Sequence, residues 1–253
     1  MTIPLDQTYS TAGETHSRAI VLLHGAAVTR AWWDPQVSDL SADYHTIAAD
    51  LPGHGALASE QLDLDAAVEH IAAVIDEAAG GKALVVGVSL GGYAGILHGA
   101  RFPDQQVGLV LSGASANLAG LKGWGMALTG LMLRLRGVDW LAEQNAASFR
   151  RRLGDAVTDA VLGAGYHPEV ALRALSVTSR RDYHRLLADY PNPVLLLNGV
   201  GDSINHDAEE ALLARLQQGR SHPLTDASHL ANLEQPAAFN AAIHAFAESL
   251  DWV

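Results

Sequence analysis

A short glycine-rich segment contains the residue best suited to chemistry. Gly87-Val88-Ser89-Leu90-Gly91 places a serine between two glycines at the G-x-S-x-G spacing, which is typical of a serine nucleophile on a sharp strand-to-helix turn. The segment follows a predicted strand and opens a predicted helix, so its context fits such a turn. We therefore predict that Ser89 is a nucleophile. The alternative is that Ser89 only caps the helix in a glycine-rich turn.

A serine hydroxyl is a weak nucleophile at neutral pH and needs a neighbouring base. Of the twelve histidines in the chain, His229 is the best placed, because it lies on a loop between the last predicted strand and the last predicted helix. His222 and His206 are the alternatives. His222 is predicted to lie in the last strand, where packing or an edge position would explain it. His206 is predicted to be an exposed or capping residue near the start of a helix.

Asp202 is the predicted acid, which would orient the imidazole of the base and stabilise its charged form. It comes just past the apolar run at 194–197, whereas the stretch at 112–117, after the preceding strand, contains no carboxylate. The order serine, acid, histidine is one that catalytic triads are known to follow along a chain. The alternative is that Asp202 is an ordinary turn or helix-capping residue.

Two backbone amides are expected to stabilise the negative charge that develops when a serine attacks a carbonyl group. One is the amide of Leu90, at the N-terminus of the predicted helix that follows Ser89. The other is the amide of Ala26, which directly follows His24-Gly25 in the loop after the first central strand. His24 itself is expected to hold the structure by hydrogen bonding rather than to act as a base.

Alternating strand and helix patterns must position these residues. Short apolar runs end in turn signals at 19–23, 46–49, 84–86, 107–111 and 194–197. Such runs do not alternate with polar residues, as expected for strands buried on both faces of a parallel sheet. Helical patterns lie between and after these runs, at 65–79, after Asp207 and from Pro236, and a last strand is expected at 221–224. The sequence therefore predicts the α/β class, with a mostly parallel central sheet flanked by helices.

Residues 114–190 interrupt this alternation. They contain several helical patterns and no convincing strand, and Pro191-Asn-Pro193 then restarts the sheet. We predict one α/β core formed by residues 1–113 and 191–253, with residues 114–190 inserted as a helical cap, or lid.

Composition excludes several classes of protein. The 253 residues are 49% hydrophobic and 17% charged, which excludes an intrinsically disordered chain. The net charge of −12 argues against sequence-independent binding to nucleic acid, which requires cationic residues. The absence of cysteine excludes disulfides, thiolate metal sites and a cysteine nucleophile. The H-E-x-x-H zinc motif and the phosphate-binding G-x-x-x-x-G-K-[ST] loop are also absent, and no metal ion is predicted.

No membrane span is expected. Residues 83–100 lack Asp, Glu, Lys and Arg, but their five glycines and one histidine favour a buried strand followed by a buried helix. The N-terminus has neither the basic nor the apolar region of a signal peptide. We therefore expect a cytoplasmic protein.

The charge is distributed unevenly along the chain. Residues 113–190 contain ten Lys or Arg and seven Asp or Glu, a net charge of +3, so the rest of the chain has a net charge of −15. Many of these cations are the arginines Arg134, Arg136, Arg150, Arg151, Arg152, Arg180, Arg181 and Arg185. They could receive an anionic group of a substrate or partner; the alternative is a solvated basic face.

Together these motifs resemble the α/β-hydrolase fold superfamily, in its capped serine hydrolase (esterase-like) form. The blocks that carry the resemblance are His24-Gly25 with Trp33 nearby, Asp50-Leu-Pro-Gly-His-Gly55, the segment around Ser89, Asp202 with His229, and the closing Leu233-Glu-Gln-Pro-Ala-Ala-Phe239. The resemblance covers about 18–113 and 191–250. It implies a Ser89–Asp202–His229 triad and an oxyanion hole formed by Ala26 and Leu90.

The resemblance also implies that the cap closes over the site and selects the substrate. Apolar residues that could form a pocket are Trp124, Met126 and Leu131 of the cap, and Trp32 and Trp33 after the oxyanion loop. The alternative for each of these residues is ordinary helix packing.

The leading hypothesis is a serine hydrolase that acts on a small carboxylic ester or a related acyl compound, without a cofactor. The resemblance leaves open a lactone, a thioester or a carbon–carbon bond as the substrate bond, and also a lyase that carries the triad. A different class is a ligand receptor or signalling protein that retains the triad but turns over slowly.

Overall fold

A computed structural model of the chain describes residues 3–118 and 135–252. Within these residues, seven strands form one sheet. The strands are β1 (Tyr9–Ala12), β2 (Ala19–Leu23), β3 (His45–Ala49), β4 (Ala83–Val88), β5 (Gln106–Ser112), β6 (Val194–Leu196) and β7 (Gly219–Ser221). Strand β1 lies in an N-terminal stretch for which the sequence predicts no strand.

The sheet has the order β1-β3-β2-β4-β5-β6-β7. Only β1 runs antiparallel to its neighbour, β3, and all other neighbours in the described sheet are parallel. Every residue of β2, β4 and β5 is buried, which explains their apolar runs without alternation. The predicted α/β class and mostly parallel sheet are confirmed. The carboxyl ends of the parallel strands meet at one edge of the sheet.

Ten α-helices are described. They are α1 (Asp34–Leu40), α2 (Leu64–Ala78), α3 (Leu90–Arg101), α4 (Val138–Gly163), α5 (Pro168–Thr178), α6 (Tyr183–Ala188), α7 (Ser203–His206), α8 (Glu209–Leu213), α9 (Ala231–Glu234) and α10 (Pro236–Glu248).

Each face of the sheet is covered by helices because successive strand residues point to opposite sides. Val21 and Val85 lie in a cluster on one side with Ile71 of α2. Val86 lies in a second cluster on the other side with Phe239 of α10. This layered packing holds the carboxyl ends of the strands, and the loops that follow them, in fixed relative positions.

Helices α4, α5 and α6 lie between β5 and β6 in the chain. We refer to the described residues 135–188 as the insertion. Helix α4 is interrupted at Gly154, whose φ of 78° and ψ of 171° are not helical. Helix α6 contacts the core through Tyr183, whose ring centroid lies 4.5 Å from that of Tyr93 in α3. The predicted role of this region as a cap stays a prediction.

Two predicted elements near the end of the chain differ from the structure. The helix expected after Asp207 is the short α8, and a separate helix, α7, precedes it because the Asp202 carbonyl accepts the amides of Asn205 and His206. The strand expected at 221–224 is β7, at Gly219–Ser221. The amides of His222 and Leu224 still donate to the carbonyls of Leu196 and Asn198. Pro223 between them has no N–H with which to continue the ladder.

Among the helices of residues 3–118 and 135–252, none is both long and apolar enough to cross a membrane. The uncharged segment at 83–100 divides into β4 and most of α3. The expected cytoplasmic location stays a prediction.

Candidate active site

Ser89 occupies the turn between β4 and α3. Its φ is 51° and its ψ is −113°, a conformation that costs a residue with a side chain energy and is found at functional sites. The surrounding backbone enforces it: the Ser89 amide donates to the Ser112 carbonyl at 2.8 Å, and the Ser89 carbonyl accepts from the Tyr93 amide at 3.1 Å. The predicted sharp strand-to-helix turn is therefore present at the end of β4.

The glycines around Ser89 are required by close backbone approaches. A Cβ atom on Gly87 would lie 2.5 Å from the Gly91 carbonyl oxygen, and one on Gly91 would lie 2.1 Å from the Leu23 carbonyl oxygen. Helix α3 can therefore begin directly against the end of β2 only because these side chains are missing.

Replacing Gly91 with alanine is expected to lower the free energy of unfolding by about 3 kcal/mol or more, because the clash is with backbone that cannot move aside. Urea unfolding would measure this as a lower midpoint at an unchanged slope. Gly163→Ala is the matched control, since a Cβ atom there meets nothing within 4 Å. Equal midpoints for the two variants would contradict this description of the turn.

The predicted acid and base are in contact. His229 Nδ1 lies 2.6 Å from Asp202 Oδ2; the histidine side chain is 47% exposed and the aspartate side chain 8%. Burial alone would raise the pKa of Asp202, but hydrogen bonds from His229 and Asn205 outweigh it and hold the pKa below its usual value. Asp202 is therefore a buried carboxylate that stays ionised and accepts the imidazole N–H.

Two asparagines that the sequence did not indicate hold the loop of Asp202. Asn205 donates to Asp202 Oδ2 at 2.9 Å, and its own oxygen accepts the amides of Ser115 and Ala116 after β5. Asn198, two residues after β6, accepts the Gly113 amide at 2.7 Å. The only sequence signal for them is their position beside a strand end and beside Asp202. They join the loops after β5 and β6.

Gly113 lies between the predicted base and the turn that contains Ser89. It follows β5 with a φ of 63°, and a Cβ atom there would lie 2.6 Å from His229 Cε1. Its neighbour Ser112 accepts the Ser89 amide. The imidazole of His229 and the backbone of Ser89 thus both pack against the carboxyl end of β5.

A cavity of about 640 Å³ opens between these residues and the insertion. Ser89, Asp202 and His229 all line it, as do Ala26 and Leu90. Its other lining is mostly apolar and includes Leu118, Leu141, Leu172, Leu175 and Ile204. The structure therefore brings the predicted nucleophile, acid, base and both amide-bearing residues to one cavity.

The loop that contains Ala26 is strained at the next residue. Ala27 has a φ of 71°, and its amide donates to His54 Nε2 at 3.0 Å. Leu90 is the first residue of α3, where the N–H has no acceptor within the helix.

Among the described residues, the non-glycine positions with positive φ are Ala27, Ser89 and Asp226. All three lie on loops that form this cavity or precede His229.

Two buried histidines support the Ala26 loop. His24 Nε2 accepts the Leu51 amide at 3.0 Å, and the rings of His24 and His54 lie edge to face at 4.8 Å. Burial lowers the pKa of His24 to about 4, and burial together with His24 lowers the pKa of His54 to about 3. Both are therefore neutral acceptors at neutral pH, so His24 has the structural role that was predicted.

These histidines should make the fold sensitive to acid. Unfolded histidine titrates near pH 6.5, so below that pH the unfolded chain binds more protons, and the unfolding free energy falls by about 1.4 kcal/mol per pH unit for each histidine down to about pH 4. His54→Gln should flatten this slope in urea unfolding at several pH values. His222→Gln, at an exposed position, is the control, and equal slopes for both variants would contradict the prediction.

The predicted pocket tryptophans lie elsewhere. Trp33 is fully buried in the core against Phe239, with ring centroids 6.2 Å apart. Trp32 is also buried, and its Nε1 donates to Asn232 at 3.1 Å. Neither lines the cavity, so ordinary packing, the alternative reading, describes both. Trp124, Met126 and Leu131 lie outside the described residues.

Within the described ranges, no group of three or more His, Asp or Glu side chains is arranged to hold a metal ion. The expected absence of a metal and of a cofactor stays a prediction.

Known proteins resemble the chain in sequence and in fold. Residues 20–242 match the model of the alpha/beta hydrolase family. A pimeloyl-[acyl-carrier protein] methyl ester esterase of Neisseria meningitidis is 28% identical over 92% of this chain and 78% of its own length. 3-Oxoadipate enol-lactonase 2 of Acinetobacter baylyi is 23% identical over 94% of this chain and 91% of its own. The solved structure of a thermophilic esterase from Thermogutta terrifontis superimposes with a TM-score of 0.77 at 24% identity, covering 95% of this chain and 92% of that one.

Proposed function

The chain belongs to the alpha/beta hydrolase family, and from this premise we propose that it is a serine hydrolase of small carboxylic esters. Ser89 is the nucleophile, His229 the general base and Asp202 the acid that orients the base. The observation that carries the proposal is the 2.6 Å contact between His229 and a buried, ionised Asp202, at the cavity that the strained Ser89 also lines.

In the first half of the reaction, Ser89 Oγ attacks the ester carbonyl carbon while His229 Nε2 takes the hydroxyl proton. The carbonyl π electrons move to the oxygen, and the amides of Ala26 and Leu90 stabilise the resulting oxyanion. The oxyanion then collapses and the bond to the alcohol oxygen breaks. His229 gives its proton to that oxygen, so an alcohol leaves and the acyl group stays on Ser89.

Water completes the cycle. His229 takes a proton from a water molecule as its oxygen attacks the acyl carbon, and the same two amides stabilise the second oxyanion. Collapse breaks the bond to Ser89 Oγ, which regains its proton from His229, and a carboxylic acid leaves. Throughout, Asp202 accepts the Nδ1–H, which keeps Nε2 as the atom that exchanges protons and stabilises the imidazolium.

The cavity supports an apolar acyl group as the preferred substrate part. Leu141, Leu172 and Leu175 come from the insertion and face the same cavity as Ser89, which is the basis for proposing that residues 114–190 form a cap over the site. A cavity of about 640 Å³ lies within the range of small-molecule sites.

A lactone is the second candidate substrate. Two relatives at 23% and 24% identity are named 3-oxoadipate enol-lactonases, and a lactone is an internal ester that the same steps would open. In that case the leaving oxygen remains part of the acyl chain on Ser89.

Chromogenic esters of increasing acyl length, together with an unsubstituted lactone, test the proposal directly. We expect hydrolysis of the esters, with kcat/KM rising up to about fourfold for each CH₂ that the cavity buries. A fluorophosphonate probe followed by mass mapping should label Ser89. Labelling of another residue, or no turnover of any compound, would contradict the proposal.

A further inference from the structure

The loop that carries His229 is fixed to the core on one side. The Ala227 carbonyl accepts the Gly201 amide at 2.8 Å, and a Cβ atom on Gly199 would lie 2.4 Å from the Ala227 backbone. These contacts join the loop of the base to the loop of the acid through backbone alone. They leave the residue between Ala227 and His229 to be held by other groups.

That residue is Ser228, and Glu234 holds it from the C-terminal end of α9. The Ser228 amide donates to Glu234 Oε2 at 2.5 Å, and the Ser228 hydroxyl donates to Glu234 Oε1 at 2.9 Å. The Glu234 side chain is only 9% exposed. A carboxylate so shielded from water is stabilised by the donors around it, and a cationic donor would contribute most.

Arg152 of the insertion supplies that cation. Its Nη1 lies 2.7 Å from Ser228 Oγ and 3.2 Å from Glu234 Oε1. Because the Ser228 hydroxyl donates to Glu234, its oxygen lone pairs are free to accept from Arg152. One guanidinium therefore binds both groups that fix the residue next to His229.

Among the described residues, Arg150 makes only local contacts. Arg150 is on the same helix, but its partners are Asp155 and Asp159, both within the insertion. Arg152 is not among the residues that line the cavity. A substitution of Arg152 would therefore change the loop of His229 without removing a contact to a bound acyl chain.

We propose that Arg152 is a positioning residue. Through Ser228 and Glu234, it makes the placement of His229 depend on how the insertion packs against the core. The inference rests on the proposed role of His229. It assigns to one of the basic residues of the insertion a role in holding the catalytic loop rather than in receiving an anionic substrate.

Arg152→Gln and Arg150→Gln form a matched pair, since each removes one positive charge from the same helix. Arg152→Gln should lower kcat about 10- to 100-fold for acetyl and octanoyl esters alike, with little change in KM, because a base displaced by a fraction of an ångström affects every substrate. Arg150→Gln should leave both constants near their original values. Arg152→Lys, which keeps the charge and one donor, should recover part of the loss.

Hydrogen exchange of the Ser228 amide provides a readout independent of turnover. It should accelerate about tenfold in Arg152→Gln, as expected for weakening a charge-assisted hydrogen bond, and not in Arg150→Gln. Equal kcat and equal exchange in the two variants would overturn the inference, as would an effect confined to KM of the octanoyl ester. If the original protein hydrolyses no ester, the proposed function fails, while the exchange rates still decide whether Arg152 holds this loop.

Discussion

Ser89→Ala is expected to lower kcat for ester hydrolysis by about 10⁴- to 10⁶-fold, the range found when a triad nucleophile is removed. The loss is large because no acyl-enzyme can form, and His229 then has no serine hydroxyl from which to take a proton. Any remaining rate would come from the Ala26 and Leu90 amides acting on a carbonyl that water attacks. Initial rates with the best ester of the chromogenic series measure the effect.

The substitution should leave the fold intact, because the contacts that hold the turn are made by the Ser89 backbone. Ser203→Ala serves as the control, since Ser203 is exposed and follows Asp202 directly. A Ser89→Ala enzyme with near-original activity, at an unchanged unfolding midpoint, would remove Ser89 from the reaction.

Asp202→Asn is expected to lower kcat by about 10⁴-fold, with a much smaller change in KM. An asparagine amide can donate to His229 Nδ1, which would place the proton on Nε2 and leave no acceptor for the serine hydroxyl. The neutral side chain also cannot stabilise the imidazolium. Asn205, which donates to Asp202 Oδ2, would be left facing an amide instead of a carboxylate.

Asp207→Asn is the matched control, because it removes the same charge five residues away at an exposed position. The pH dependence of the free energy of unfolding should also distinguish Asp202→Asn from Asp207→Asn. The folded-state pKa of Asp202 lies below its unfolded value, so its contribution is present above the unfolded pKa and is lost as pH falls through the folded one. If Asp202→Asn kept more than about a tenth of the original kcat, another residue would have to be the acid.

The positions of Ser89 and Asp202 at strand ends could be predicted because their signals are local. Ser89 lies in a five-residue spacing that itself requires a strand, a sharp turn and a helix, and Asp202 directly follows an apolar strand. His229 has no such local signal and is predicted only from its place in the chain order, and the structure places its ring against Asp202. That all three residues meet follows from the further rule that loops after parallel strands lie at one edge of the sheet; their roles in a reaction stay predictions.

The residues that the sequence did not predict depend on contacts between distant segments. Asn205 reaches amides 89 and 90 positions away, and Arg152 reaches Ser228 across 76 positions. Neither contact leaves a pattern in the residues beside it. Trp32 and Trp33 show a different difficulty. The residue type alone does not distinguish a large aromatic side chain in a pocket wall from one in the core.

The close approach of Gly91 to Leu23 has a consequence for how such an enzyme can change. It packs the turn of the proposed nucleophile directly against the strand that precedes the Ala26 loop, so the main chain at this point tolerates little variation. The apolar wall supplied by Leu141, Leu172 and Leu175 belongs to a separate part of the chain. Libraries aimed at new substrates should therefore vary that wall and keep Arg152, the point at which the two parts depend on each other.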